Sequence, residues 1–334
     1  MECESRLKST RERKFAYIIN SKKGDIMKLE KIKIVKITIA LALGIALVAL
    51  LFRGGEGSSE ADVAGGFKEN PARVAVLDYG TLDTFDALGV EAKLAVPKSY
   101  MPNYLSKYKA GEYENVGGVK EFNLETINSF KPDLIVISAR QQDYENKLSE
   151  IAPVYFVKTA IVQDQFAETK KNIEFFGKLF GREEAAKKAI SELEAAARKV
   201  REKVSKNPLR TLVMIANDGK LSAFGSGSRF GFVYDALGLP QADANIKVGR
   251  HGQLVNFEYI AKVNPDLILV VDRSAAIGSG ADNTKIFDNP IVAGTNAAKS
   301  GRIVRLDPEC WYLSGGGIES MGKMIAEVER AISK

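Results

Sequence analysis

From Val74 to the C-terminus the chain alternates two hydrophobic patterns. Short, nearly unbroken apolar runs such as Val74–Leu77 and Thr211–Ala216 predict strands covered on both faces. Between such runs, apolar residues return every three or four positions among charges, the period of an amphipathic helix. Strand and helix therefore take turns, which predicts open α/β sheets rather than a helical bundle or a sandwich. The longest helical stretch is Gln163–Lys206, with Ile173, Phe176, Leu179, Phe180, Ala189, Ile190, Leu193 and Val200 on its apolar positions. Its spacing predicts one continuous helix, a stiff strut that limits relative motion of whatever it joins.

The pattern is also used twice. Asn123–Arg140 aligns without gaps to Asn256–Arg273 at an offset of 133 residues, with eight of eighteen positions identical. Each copy reads as a short helix opened by an Asn cap, stopped before a Pro (Pro132, Pro265), and followed by an apolar strand that ends in an arginine. A second echo, Asp86–Gly89 and Asp235–Gly238, marks a helix that ends on Gly in each half. Two Rossmann-like α/β lobes joined by the long helix are expected, at 71–162 and 208–334 with the helix at 163–207, and a ligand cleft between them.

Charge adds little to the body of the chain. Lys and Arg number 48 against 42 Asp and Glu, a net +6, but residues 37–334 hold 37 of each. No basic face for nucleic acid is implied. The excess belongs to an N-terminal segment in which Lys28, Lys31, Lys33 and Lys36 precede the 16-residue apolar run Ile37–Phe52. This is the pattern of an export signal, and the run is shorter than the roughly 20 residues of a full membrane span. Residues 27–56 are expected to be a signal peptide or a signal anchor, and 57–70 a linker. Lys22-Lys23-Gly24-Asp25, just before Met27, reads as a ribosome-binding site translated in frame, so 1–26 are expected to be an untranslated leader.

Candidate chemistry is sparse. With one histidine, His251, and two cysteines, Cys3 and Cys310, neither a multi-histidine zinc site nor a disulfide framework can be built. Neither G-x-S-x-G nor G-x-G-x-x-G occurs, and Gly317–Lys323 resembles a phosphate loop but is followed by Met324 where Ser or Thr is required. His251 sits one residue after Gly249-Arg250 and just before Gly252, in a loop with the backbone freedom to present an imidazole to a cleft. Tyr312 follows Asp307-Pro-Glu-Cys-Trp311, and a phenolate oxygen is a hard ligand suited to Fe(III). Arg140 and Arg273 close equivalent strands at the edge where open α/β sheets bind ligands, and Arg229 lies in Ser226–Gly231. Converging guanidinium groups favour a polyanion. Glu125 and Glu258 occupy first turns of equivalent helices, where a carboxylate suits the helix dipole and where each lobe can also offer one docking charge. Cys310 is expected to be a free thiol beside the site, with disulfide-linked dimers as a consequence to test.

These segments resemble the class III substrate-binding proteins of bacterial ABC importers, most closely the catecholate siderophore-binding branch. The narrower markers are Ser228-Arg229-Phe230-Gly231, Lys247-Val-Gly-x-His251-Gly252, Val271-Asp272-Arg273 and Asp307-Pro-Glu-x-Trp311-Tyr312. The resemblance implies that His251 and Tyr312 bind ferric iron where a tetradentate catecholate leaves two positions open. Arg140, Arg229, Arg273 and Trp311 then hold the anionic complex, and Glu125 and Glu258 meet the permease dimer that works with its ATPase. It implies a monomer that is not an enzyme and has no intrinsic cofactor, the ferric siderophore being cargo. It also implies a periplasmic or extracytoplasmic location, with membrane contact through the N-terminal segment and the permease. Haem or cobalamin is the alternative cargo. The chain departs from the pattern in two places: Cys310 stands where another tyrosine is expected, and no lipid-anchor cysteine follows the apolar run.

Overall fold

The computed structural model describes Asp62–Val63 and residues 66–159 and 163–333. The leader at 1–26, the signal segment at 27–56 and Cys3 lie outside the described residues. Among the described residues no helix is long and apolar enough to cross a membrane.

Two five-stranded sheets organise the chain. The first contains β1 Arg73–Val76, β2 Lys93–Val96, β3 Glu114–Asn115, β4 Leu134–Ser138 and β5 Val154–Val157, all parallel, in the order β3-β2-β1-β4-β5. The second contains β6 Thr211–Asn217, β7 Lys220–Phe224, β8 Gln253–Val255, β9 Leu267–Asp272 and β10 Ile303–Leu306, in the order β8-β7-β6-β9-β10. There β6, β9 and β10 run parallel, while β7 is antiparallel to both β6 and β8. Each sheet reverses its winding once, between β1 and β4 in the first and between β6 and β9 in the second. In open α/β sheets the crevice outside the carboxyl ends of strands at such a reversal is where ligands bind.

Strand residues alternate between two cores, which explains why the runs are apolar throughout. Leu134 and Val136 of β4, Val213 and Ile215 of β6, and Leu267, Leu269 and Val271 of β9 share one core that spans both sheets. Their neighbours point the other way: Ile135 and Ile137 pack beneath Ile127, while Leu212, Met214, Ile268 and Val270 pack beneath Ile260. Ile127 and Ile260 belong to the repeated helices α2 Leu124–Phe130 and α5 Phe257–Val263.

Several identical residues of the repeat have a visible physical reason. The Asn123 and Asn256 side chains accept from the backbone amides of Thr126 and Tyr259 at 3.0 and 2.9 Å, so each opens its helix. The helices close on left-handed residues, Lys131 (φ 49°) and Asn264 (φ 44°). Asp133 and Asp266 then accept from the amides of Arg73 and Arg210 at 2.9 and 3.1 Å, tying the helix end to the start of the neighbouring strand. The guanidinium groups of the same two arginines donate back to helix-end carbonyls, Arg73 to Phe130 at 2.7 Å and Arg210 to Val263 at 3.0 Å.

The expected single helix at 163–206 is two helices, α3 Gln165–Leu179 and α4 Glu183–Lys206. Gly181 adopts φ 61°, a left-handed turn that ends α3. A Cβ on Gly177 would lie 2.5 Å from that of Ala186, so the two helices meet in backbone-close contact. Apolar spacing runs on through the break because both helices bury their stripes in the same core. At about 1.5 Å per residue, the 24 residues of α4 still form a rod of about 36 Å. It packs on α3 and extends to the second lobe, where Arg201 donates to the Ala236 carbonyl. The C-terminal helix α6 Ile318–Ile332 crosses back and packs on α4 and on α1 Tyr79–Leu88. The expected linker is also partly structured: Phe67 and Lys68 pair with Asp62–Val63, and Phe67 packs edge-on against Tyr155 and Phe175.

Candidate functional site

Arg140 and Arg273 lie just past the carboxyl ends of β4 and β9, the strands that flank the winding reversals. The two sheets therefore point the repeated arginine at one cleft. Between them stands Tyr312, on a single π-helical turn, Glu309–Leu313, a form of backbone often found at functional sites.

Three guanidinium groups surround this tyrosine. Arg273 Nε donates to the Tyr312 hydroxyl at 2.8 Å, and Arg229 Nη2 donates to the Tyr312 carbonyl at 2.9 Å. Arg140 donates to the same carbonyl and to that of Leu313. Their central carbons lie 4.7 Å (Arg229), 5.6 Å (Arg273) and 5.7 Å (Arg140) from the ring centroid. None of the three forms an ion pair with a carboxylate among the described residues, and Arg273 is oriented by the neutral side chain of Asn217. Burial and the charge of Arg140 together hold the Arg229 pKa below its ordinary range. Burial opposes ionisation of Tyr312, but the Arg273 hydrogen bond and the charges of Arg229, Arg273 and Arg140 outweigh it and lower the phenol's pKa. The cleft thus presents concentrated positive charge and an ionisable oxygen, a combination suited to an anionic metal complex.

Two adjoining cavities of about 310 and 330 Å³ open on either side of Tyr312 and Arg273. His251 is exposed and borders the second cavity together with Tyr312, so the structure brings the imidazole and the phenol to one chamber. Lys120 borders both cavities, and Arg250 borders the second while donating across the cleft to the Ala139 carbonyl. Sequence reasoning missed both cations. Arg250 was legible as the neighbour of His251, and Lys120 only as the second residue after the Gly117–Gly118 pair.

Two expectations change. Trp311, expected on the ligand, is 1% exposed, packs against Phe230 and Phe232, and donates to Glu327 at 2.7 Å. Adjacent residues on the π-turn face opposite ways, so Trp311 anchors the turn in the core while Tyr312 faces the cleft. Cys310 is fully buried, and burial with the nearby Asp307 carboxylate pushes its thiol well above the ordinary range. Disulfide-linked dimers are therefore not expected.

Glu125 and Glu258 are exposed and make no ion pair or hydrogen bond among the described residues, the Asn caps having taken the helix-end amides. The phosphate-loop-like segment is also accounted for. The backbone amides of Glu319 and Ser320 at the start of α6 donate to Asp83 at 2.8 Å each, so a carboxylate of α1 occupies the place an anion would take.

Two sheets wound alike, a cleft at their reversals and a cationic lining define an α/β ligand-binding protein. The chain belongs to the periplasmic binding protein family, whose model matches residues 74–310. It is 43% identical over 272 residues to the petrobactin-binding protein YclQ of Bacillus subtilis (strain 168), covering 80% of this chain and 84% of that one. The solved structure of that protein superposes with a TM-score of 0.77 at 40% identity, over 80% of this chain and 94% of the other. The periplasmic catecholate-siderophore binding protein VctP of Vibrio cholerae gives a TM-score of 0.74 at 33% identity, over 79% and 95%.

Proposed function

We propose that this chain is the extracytoplasmic binding component of an ABC importer, capturing a ferric catecholate siderophore and delivering it to a membrane permease for iron uptake. The observation that carries this reading is the set of three carboxylate-free guanidinium groups around Tyr312. A ferric catecholate is a compact polyanion, and a charge-balanced protein holds it in a partly dry cleft only with local cations. Arg140, Arg229 and Arg273 neutralise the complex, with Lys120 and Arg250 at its edge. His251 and the ionised Tyr312 complete the iron coordination of a tetradentate ligand, and Glu125 and Glu258 dock to the permease. The names of the relatives, petrobactin-binding and catecholate-siderophore binding, point the same way. In this reading the lobes are 71–162 and 208–334, joined by the helical segment at 163–207, and 27–56 exports the chain.

Titration of the purified chain with a ferric bis-catecholate, a ferric tris-hydroxamate, haem and cobalamin, followed by quenching of Trp311 and tyrosine emission, tests the proposal. The ferric catecholate is expected to bind most tightly. Its visible band should shift on binding, and this shift should be lost in His251→Ala and Tyr312→Phe. Preferred binding of haem, with a Soret shift lost in Tyr312→Phe, would keep the site and overturn the cargo.

A further inference from the structure

Among the described residues of the first lobe Tyr100 is the most exposed large hydrophobic residue, and it has a left-handed backbone, φ 56°. For a bulky side chain this conformation is a genuine outlier, retained only where the surroundings enforce it. Here both flanks are pinned. The amides of Lys98 and Ser99 donate to the Gly117 carbonyl at 2.8 and 3.0 Å, the Tyr79 hydroxyl donates to the Ser99 carbonyl at 2.7 Å, and Met101 is buried on the far side. The turn between these anchors directs the Tyr100 side chain out of the core. Tyr100 is 61% exposed and borders the cavity that Arg140, Arg273 and Tyr312 also line. The ring edge comes within 3.4 Å of the position a Cβ would take on Gly278, a left-handed glycine of the second lobe. Tyr100 therefore stands at the mouth of the cleft, close to its opposite wall. An aromatic ring so exposed contributes little burial to the fold, and glycine would adopt this backbone without strain.

We propose that Tyr100 is a ligand-contacting residue that selects for an aromatic chelating group, its free face stacking on a catechol ring of the bound complex. This inference rests on the ferric catecholate reading and adds to it a specificity determinant outside the arginine cluster. Offset stacking between such rings is favourable beyond the area buried, enough for about tenfold in affinity.

The test compares Tyr100→Phe, Tyr100→Leu and Tyr100→Gly in the purified chain, titrated with a ferric bis-catecholate. Tyr100→Phe keeps the ring and is expected to bind within about twofold of the wild type. Tyr100→Leu and Tyr100→Gly are expected to bind about tenfold more weakly. Tyr100→Gly should also melt at a higher temperature, since it relieves the left-handed backbone, so weaker binding cannot be assigned to unfolding. Full affinity in Tyr100→Gly would overturn the contact, and full affinity in Tyr100→Leu would overturn the ring selectivity. A wild-type chain that ignores ferric catecholates but binds haem would instead overturn the function on which the inference rests.

Discussion

At the scale of single residues, the property that sets this site apart is the ionisation of Tyr312. Burial disfavours a phenolate, yet the hydrogen bond from Arg273 and the charges of Arg229, Arg273 and Arg140 bring its pKa below the ordinary 10.0. Removing one of those cations must therefore raise it. In Arg273→Gln the phenol is expected to titrate at higher pH than in the wild type, read as phenolate absorbance in the difference between each protein and its Tyr312→Phe partner. An unchanged midpoint would mean that Arg273 orients Tyr312 without tuning it. The same substitution should weaken ferric catecholate binding most at low pH, where less phenolate is available.

At the scale of elements, the start of α6 is held by a buried charge. Asp83, 1% exposed, accepts from the amides of Glu319 and Ser320 and from the Tyr104 hydroxyl. Burial dominates over these hydrogen bonds and raises its pKa from 3.8 to about 6. Between these two values the folded protein binds a proton that the unfolded chain does not. The Asp83 contribution to stability is therefore full below about pH 4 and is lost as pH rises through about 6. Its size is on the order of 3 kcal/mol. Denaturant melts across that range should show a stability that falls toward pH 6 in the wild type and falls less in Asp83→Asn. Carboxylates held low, such as the half-buried Glu329 beside Lys199 and Lys203, contribute the opposite slope but at lower pH. An equal slope in both proteins would remove Asp83 as its source.

At the scale of the molecule, the two sheets share one apolar core and α4 runs along both lobes, so large opening motions are opposed by burial as well as by the rod. In the proposed reading, capture and delivery fall to separate surfaces. The proposed cargo site is the cleft, while the proposed docking charges Glu125 and Glu258 lie on the equivalent helices α2 and α5 and are exposed. The double variant Glu125→Lys, Glu258→Lys is expected to bind ferric catecholate with unchanged affinity and to lose permease-dependent uptake in reconstituted vesicles. Retained uptake would reject the docking role, and lost affinity would place these residues nearer the cleft than they stand.

The sequence alone determined what depends on local periodicity and on repetition. The strand that opens each half, the paired helix-to-strand units with their Asn caps, and Arg140 and Arg273 as equivalent residues were legible, because each answers a local demand of helix ends or of buried strands. The arginines around Tyr312 were legible as types but not as a cluster. Their convergence depends on where two sheets reverse their winding, which no local pattern encodes. Tertiary structure alone decided the break at Gly181, since one core buries the stripes of both α3 and α4. It also decided which side of the π-turn faces the cleft, placing Trp311 inside and Tyr312 outside, and it brought Lys120 and Arg250 to the rim. Each of these depends on distance in space between residues far apart in the chain, and hydrophobic spacing along the chain carries no such information.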